Sequence, residues 1–375
     1  MRKLAFLSLL FMLALTLSVT VWAQDATEES VDSDTAPVEL VPWTCPTGFE
    51  GQTLNVYNWS TYVADDTISN FETLCGVSVT YDVYESSEAL LNRLRSGNPG
   101  YDVVVPTGNT VLRMITEELL VPLDKAQIPN IANVTESLLN PEYDPDNLYT
   151  LPYQWGTVGV GYNIEAVGGE ITSWEQVWNH DGPVAWLEDL RVMMGFALVN
   201  LGYDANTTNP DEIAAARDFL IERGNNVVYI AGDDGQERLA AGEVDIAVEY
   251  MGDIFQIMAD CECDDFAFSL PMEGADVWVD NLAVPVGAQN PALAHVFLDY
   301  ILDPQVGADI SNYTAYASPN QAAIDAGLID PEYLDSPVIY PDATTFERLF
   351  TILSDPTVEQ MYNDAWDEVK ILIGG

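Results

Sequence analysis

The sequence predicts an α/β protein of two lobes, each built on a mostly parallel sheet flanked by helices. From Gly51 onward strand-like segments alternate with helix-like ones, the grammar of βαβ units. The segment Tyr101 to Pro106 is apolar apart from Asp102, as a strand covered on both faces would be. The chain has 375 residues, and even without an exported leader it is too long for one compact core.

In chain order, residues 1–23 read as a secretory signal. Arg2 and Lys3 precede the apolar run Leu4 to Val19, and Ala23 ends the segment before the polar Gln24. The run is short for a membrane span, and no cysteine follows it, so no lipobox is expected. Residues 24–49 read as an acidic tether, in which Asp25, Glu28, Glu29, Asp32, Asp34 and Glu39 lie among Ser, Thr, Ala and Pro with no apolar period. Leu54 to Trp59 is strand-like, and Asp65 and Asp66 offer an N-cap to a helix stopped at Gly76. Val77 to Tyr84 is a second strand. Ser86 and Ser87 cap a helix with Leu90, Leu91 and Leu94 on one face, ended by Gly97 to Gly100. Tyr101 to Pro106 follows as the third strand.

Further on, Thr172-Ser173-Trp174-Glu175 reads as a capping-box start, and Asn209-Pro210 opens a helix running to Gly224. Val227 to Ile230 and Asp245 to Tyr250 are strand-like around a helix that carries Arg238 and Leu239. Phe266 to Pro271 and Val277 to Val286 are expected strands, and Pro291 to Leu302 and Pro356 to Ile371 closing helices.

Sixty acidic residues face 12 basic ones, a formal charge of −48. The charge arises from scarce bases, since charged residues total only 19% while 48% of residues are hydrophobic. The chain therefore has material for a core and is not of the disordered class. No basic cluster interrupts the negative field, which excludes nucleic acid as a partner. Of the four cysteines, Cys45 precedes the first strand and Cys75 ends the helix after it, so the two are placed to meet in an oxidising compartment. Cys261-Glu262-Cys263, followed by Asp264 and Asp265, admits a metal, a local disulfide or free thiols. His180 and His295 are both remote in sequence, so no metal site is expected there.

No catalytic residues emerge and no cofactor is expected. There is no G-x-S-x-G elbow and no Gly-rich phosphate loop, while a carboxylate pair of the kind an exported glycosidase uses stays open among so many acids. What stands out is aromatics beside acids at strand ends: Trp59-Ser60-Thr61-Tyr62, Tyr250-Met251-Gly252-Asp253 and Trp278-Val279-Asp280. Ligands of open α/β sheets bind at such ends. Aromatic faces with carboxylates suit an alkyl chain that carries ammonium groups.

The runs LNVYNWSTYVADDTISNF at 54–71 and YDVYESSEALLNRLRSGNPGYDVVVP at 81–106 resemble the periplasmic spermidine/putrescine-binding proteins of bacterial polyamine ABC transporters. So do LPYQWGTVGVGYN at 151–163, AVEYMGD at 247–253, VWVDNLAVP at 277–285 and AYASPNQAA at 315–323. The resemblance is collinear over the chain after the tether. It implies a two-lobed periplasmic-binding-protein fold of type II, with residues 50–154 and 281–327 in one lobe and 155–280 and 328–375 in the other. The chain would cross between lobes near Tyr153 to Gly156, near Asp280 and near Asp325 to Asp330.

It further implies a monomer that takes a polyamine in the cleft and passes it to an inner-membrane ABC permease, putrescine being favoured over spermidine. Another small amine or solute is the alternative. The ligand wall carried over by position is Trp59, Ser60, Tyr62, Thr107, Asp189, Tyr250, Asp253, Trp278, Asp280 and Tyr316, with Asp280 and Asp253 as the ammonium partners. Thr61 and Val192 stand where that family often has acids, Asn109 where the spermidine type has an aromatic, and Glu249 is an acid where a neutral residue is expected. These departures bear on ligand length.

Loss of Arg2 and Lys3 with the signal would leave only 10 bases against 60 acids, a surplus that repels itself over the whole surface. The melting temperature is therefore expected to rise between about 0.01 M and 1 M salt as the Debye length falls from about 30 Å to about 3 Å. A melting temperature that does not rise would show that self-repulsion is not a major destabilising force.

Overall fold

The computed structural model describes residues 41–374 except 233, 262, 263 and 354. The expected signal and residues 24–40 of the tether lie outside the described residues. Nine strands form one mixed sheet: β1 (Thr53–Trp59), β2 (Ser78–Tyr84), β3 (Val103–Val104), β4 (Thr150–Asn163), β5 (Val184–Leu187), β6 (Val227–Ala231), β7 (Ile246–Tyr250), β8 (Phe266–Ser269) and β9 (Asp276–Ala283). Their order is β2-β1-β3-β9-β4-β7-β5-β6, with β8 also paired to β4.

The parallel pairs lie toward the two ends, β1 with β2 and β3, and β5 with β6 and β7. These are the segments whose βαβ pattern is legible in the sequence. The antiparallel pairs are made by β9 with β3 and β4, and by β4 with β7 and β8. β4 pairs with β9 from Thr150 to Val158, and its remaining length pairs with β7 and β8. These two strands thus join the two parallel groups.

Ten helices matter for the site. They are α1 (Thr67–Cys75), α2 (Ser87–Arg95), α3 (Gly108–Thr116), α4 (Leu190–Asn200), α5 (Pro210–Arg223), α6 (Met251–Cys261), α7 (Pro291–Ile301), α8 (Pro304–Thr314), α9 (Gln321–Asp325) and α10 (Glu359–Ile373). Their starts follow local chemistry. The Ser86 side chain accepts from the Ala89 N–H, Asn209 accepts from Asp211 ahead of Pro210, and Asp303 accepts from Gln305 and Val306. Asp66 holds the N-cap position of α1 without a side-chain bond.

Tyr101 to Pro106 contributes only two ladder residues, Val103 and Val104. Asp102 explains this: its carboxylate accepts the backbone N–H groups of Asn55 and Asn290, tying the segment by side-chain bonds instead of a ladder. Ile329 packs on Ala308 and Ala323 of α8 and α9, and Tyr333, Leu334 and Tyr340 join the same cluster. Tyr340 and Phe346 then meet Trp155 of β4 edge-on, and Phe350 bridges to Asp276 of β9. Among the described residues no helix is long and apolar enough to cross a membrane.

Cys45 and Cys75 form a disulfide, with Cα atoms 5.2 Å apart. The bond fastens the N-terminal segment to the end of α1. Trp43 locks the same segment by donating to Asp299 Oδ2 at 2.9 Å and packing edge-on against Tyr300. Cys261 is also disulfide-bonded, and Cys263 lies outside the described residues. Among the described residues no group of three His, Cys, Asp or Glu side chains is arranged to hold a metal ion. The Cys45–Cys75 link closes a loop with a sequence separation of 30, so replacing both cysteines by serine is expected to cost about 3–4 kcal/mol. Denaturant unfolding of the variant checks this, and a loss below about 1 kcal/mol would mean that the Trp43 contacts hold the segment without the bond.

Candidate ligand-binding site

Asp280 lies in β9, where that strand passes from β4 toward β3, and its backbone bridges to Thr107 at the start of α3. The residue is 5% exposed. Burial pushes its carboxyl up to about 7, against the opposing effect of the Thr107 and Tyr62 hydroxyls that face it. No cation is among the groups acting on it, and its Oδ1 has no hydrogen-bond partner. The Tyr62 hydroxyl, beside it, makes no well-aligned hydrogen bond either. A carboxylate buried without a base is costly in its charged form.

Aromatic rings surround it. Tyr62 meets Tyr316 edge-on at 5.6 Å between centroids and Tyr153 at 5.3 Å. Trp278 meets Tyr316 at 5.0 Å and Tyr250 at 6.1 Å, again edge-on. Trp278 and Asp280 share a face of β9 because strand side chains repeat every two residues. Tyr316 reaches the site from the turn after α8, where Ala315 takes the left-handed conformation (φ 59°). The next residue, Ala317, exchanges both backbone hydrogen bonds with Trp155 of β4.

Two glycines make room for the Tyr316 ring. A Cβ on Gly156 would stand 2.9 Å from it and 2.8 Å from Trp278, and one on Gly252 would stand 2.5 Å from it. The Tyr316 hydroxyl donates to Asp253 Oδ1 at 3.1 Å, so Asp253, in the first turn of α6, joins the same group.

Trp59, at the end of β1, packs at 4.5 Å on Tyr84, and both side chains donate to the Val105 carbonyl, Trp59 Nε1 at 3.0 Å and Tyr84 at 2.5 Å. The Asp280 charge is felt at Tyr84. Tyr84 therefore belongs with the candidate residues, although the sequence marks it only as the last position of a strand. Ser60 follows Trp59 and is partly buried in the turn leading to Tyr62. Asp189, at the end of β5, caps α4 by accepting from Arg191 and Val192 at 3.0 and 3.2 Å.

Burial raises the Asp189 carboxyl. It stands near Tyr250 and Asp276, away from the groups that shift Asp280. Glu249, flagged as an unexpected acid, is fully buried and accepts from the Tyr250 N–H at 2.9 Å. Two features, one in β9 and one in β4, escaped sequence reading. The buried Asp276 is an acid inside an apolar stretch, and Gly156 is legible only once the facing rings are placed.

The assembly is a set of strand-end rings around carboxylates, shaped for an organic cation with apolar carbons. The fold is that of a two-lobed α/β binding protein. Residues 66–338 match the family described as bacterial extracellular solute-binding protein, and the chain belongs to that family. It is 35% identical over 342 residues to the putrescine-binding periplasmic protein PotF of Escherichia coli (strain K12), covering 86% of this chain and 92% of that protein. It is 33% identical over 303 residues to the spermidine/putrescine-binding periplasmic protein of the same organism, covering 80% and 86%. The crystal structure of the spermidine/putrescine ABC transporter substrate-binding protein PotD from Streptococcus pneumoniae superposes with a TM-score of 0.76 at 27% identity, covering 86% of this chain and all of that one.

An acid whose pKa is raised on folding takes up a proton with the fold, so its contribution falls as pH rises from the unfolded value of about 4 to the folded one. For Asp280 that window ends near 7. Asp280→Asn is accordingly expected to raise the ligand-free melting temperature by several degrees at about pH 8 and to leave it nearly unchanged near pH 4.5. Equal shifts at both pH values would show that the charge of Asp280 is not the source of the strain.

Proposed function

We propose that the protein captures a linear polyamine outside the inner membrane and delivers it to an inner-membrane ABC permease, without chemical turnover. The observation that carries this is Asp280, a buried carboxylate with an unpartnered oxygen, ringed by Tyr62, Trp278 and Tyr316. An ammonium group supplies the missing charge partner, and the rings cover the methylenes, with about 0.5–2 kcal/mol of cation–π attraction per ring.

Thr107 and Tyr62 orient the Asp280 carboxylate. Asp253, anchored by Tyr316, takes the second ammonium, and Trp59, Ser60 and Tyr250 complete the wall. The Asn58-Trp59-Ser60 motif, together with Asp253, supports putrescine over spermidine. The two histidines support a non-enzymatic reading. His180 pairs with Asp245 at 2.9 Å, and His295 bonds the Pro291 carbonyl and the Asp124 N–H, so both are tied to structural partners. The relatives' names support the ligand class and the periplasmic setting.

Calorimetric titration with putrescine, spermidine and an uncharged sugar tests the proposal. Both amines are expected to bind and the sugar is not. Asp280→Asn is expected to weaken putrescine by more than about 2 kcal/mol, roughly thirtyfold. Because only the ionised carboxylate attracts the cation, wild-type affinity is expected to fall as pH drops below about 7, where Asp280 protonates, and the Asn variant to lose that dependence. Affinity within twofold of wild type in the variant would remove Asp280 as the ammonium partner.

A further inference from the structure

Gln154 of β4 has no part in the site described above, yet it stands directly opposite Asp280. In the antiparallel pairing of β4 with β9, Gln154 meets Asp280 and Gly156 meets Trp278. Residues opposite one another across such a ladder share a face, with Cβ atoms about 5 Å apart. The Tyr316 ring lies against Gly156 on that face, so Gln154 belongs to the same surface as Asp280 and its rings.

The Gln154 amide is only half satisfied. The residue is 1% exposed. Its Oε1 accepts from the Thr314 hydroxyl at 2.5 Å, while Nε2 is buried without a hydrogen-bond partner. On the facing strand, Asp280 Oδ1 is an acceptor without a donor, and the two atoms do not bond each other. Buried polar groups left in this way are costly.

Thr314 gives the amide a second arrangement. Its hydroxyl carries one hydrogen, and the Ile310 carbonyl lies 2.9 Å from the same oxygen. With that hydrogen turned to Ile310, the Thr314 oxygen becomes an acceptor. An amide turned over by half a rotation then donates to it through Nε2 and presents Oε1 where Nε2 had been. In the ligand-free protein this arrangement only sets a carbonyl opposite a carboxylate. A bound ammonium reverses the balance, because it brings three N–H donors and one carboxylate oxygen does not use them all.

We propose that Gln154 is a second acceptor for the ammonium held at Asp280, its amide turning over as the ligand enters. This rests on the polyamine reading above. Asp280 supplies the charge from β9 and the Gln154 carbonyl a neutral acceptor from β4, so the two central strands each give one group to the same nitrogen. A terminal nitrogen with at least two N–H groups satisfies both acceptors. The station therefore takes primary and secondary ammonium ends in preference to tertiary or quaternary ones.

Calorimetric titration of wild type, Gln154→Met and Gln154→Glu with putrescine tests this, together with the ligand-free melting temperature of each protein. Methionine keeps the length of the side chain and removes both polar atoms, and the Thr314 hydroxyl falls back on Ile310. The methionine variant is expected to melt no lower than wild type and to bind putrescine about tenfold more weakly. Glutamate keeps an acceptor in either protonation state, so its affinity is expected to stay within about threefold of wild type or to be tighter. Wild type is also expected to bind N,N,N′,N′-tetramethylputrescine at least about tenfold more weakly than putrescine. A methionine variant within about twofold of wild type, a glutamate variant that loses as much as the methionine one, or equal affinity for the methylated diamine would each overturn the proposal. Failure of the polyamine reading itself looks different, since wild type would then bind neither putrescine nor spermidine. Should Gln154→Met not fold, Thr314→Val removes the acceptor that the turned amide needs. A loss of at least about threefold for putrescine is expected there, and unchanged affinity would overturn the proposal.

Discussion

The buried charge of Asp280, set among rings with no base beside it, is the constraint around which the rest of the site is arranged. A carboxylate in that position raises the free energy of the ligand-free protein, and burial drives its pKa to about 7. The surroundings hold it in place at that cost. Thr107 fixes it through a backbone bridge and a hydroxyl, and Trp155 draws Ala317, and with it Tyr316, onto β4. Gly156 and Gly252 allow rings where any Cβ would collide. An added methyl at either glycine pushes Tyr316 off its contacts with Trp278 and Asp253, so a backbone feature without polar atoms governs the placement of a charge-bearing group.

Much of the fold was legible because it obeys simple periods. β1, α1, β2 and α2 follow a strand–helix alternation with Gly76 and Gly97 as stops, and the disulfide follows from where Cys45 and Cys75 fall in that order. The central strand β4 was harder. Leu151 to Asn163 mixes Gly, Tyr, Val and Trp with no alternation, because it is covered on both faces and its glycines make room for neighbours such as Phe268 and Ile254. Helix α4 hid for the same reason, being buried from Val192 to Leu198 with almost no polar face.

Of the site, the acid–aromatic motifs at the ends of β1 and β7 and on β9 pointed to the residues around Asp280, since sheet topology gathers strand ends. Resemblance added Thr107 and Tyr316, which no local pattern marks. Asp189 is placed by its capping bonds near Asp276, so its position follows as much from helix-start chemistry as from ligand chemistry. Asp276 itself was invisible, as one acid among 60. Only its burial and its unpartnered oxygen distinguish it from the solvated majority. The exterior acids act over long range and weakly, and the ion pairs that relieve them, such as Arg113 with Glu88 and Glu359, are surface contacts of small individual worth. The few buried acids act at short range, where each unmatched charge counts for more.

The most direct measurement is a crystal structure of the protein grown with putrescine. The account predicts one ammonium nitrogen within about 3 Å of Asp280 Oδ1, with the methylenes lying against Trp278 and Tyr316. A putrescine bound elsewhere, with Asp280 left facing only Thr107 and Tyr62, would contradict it.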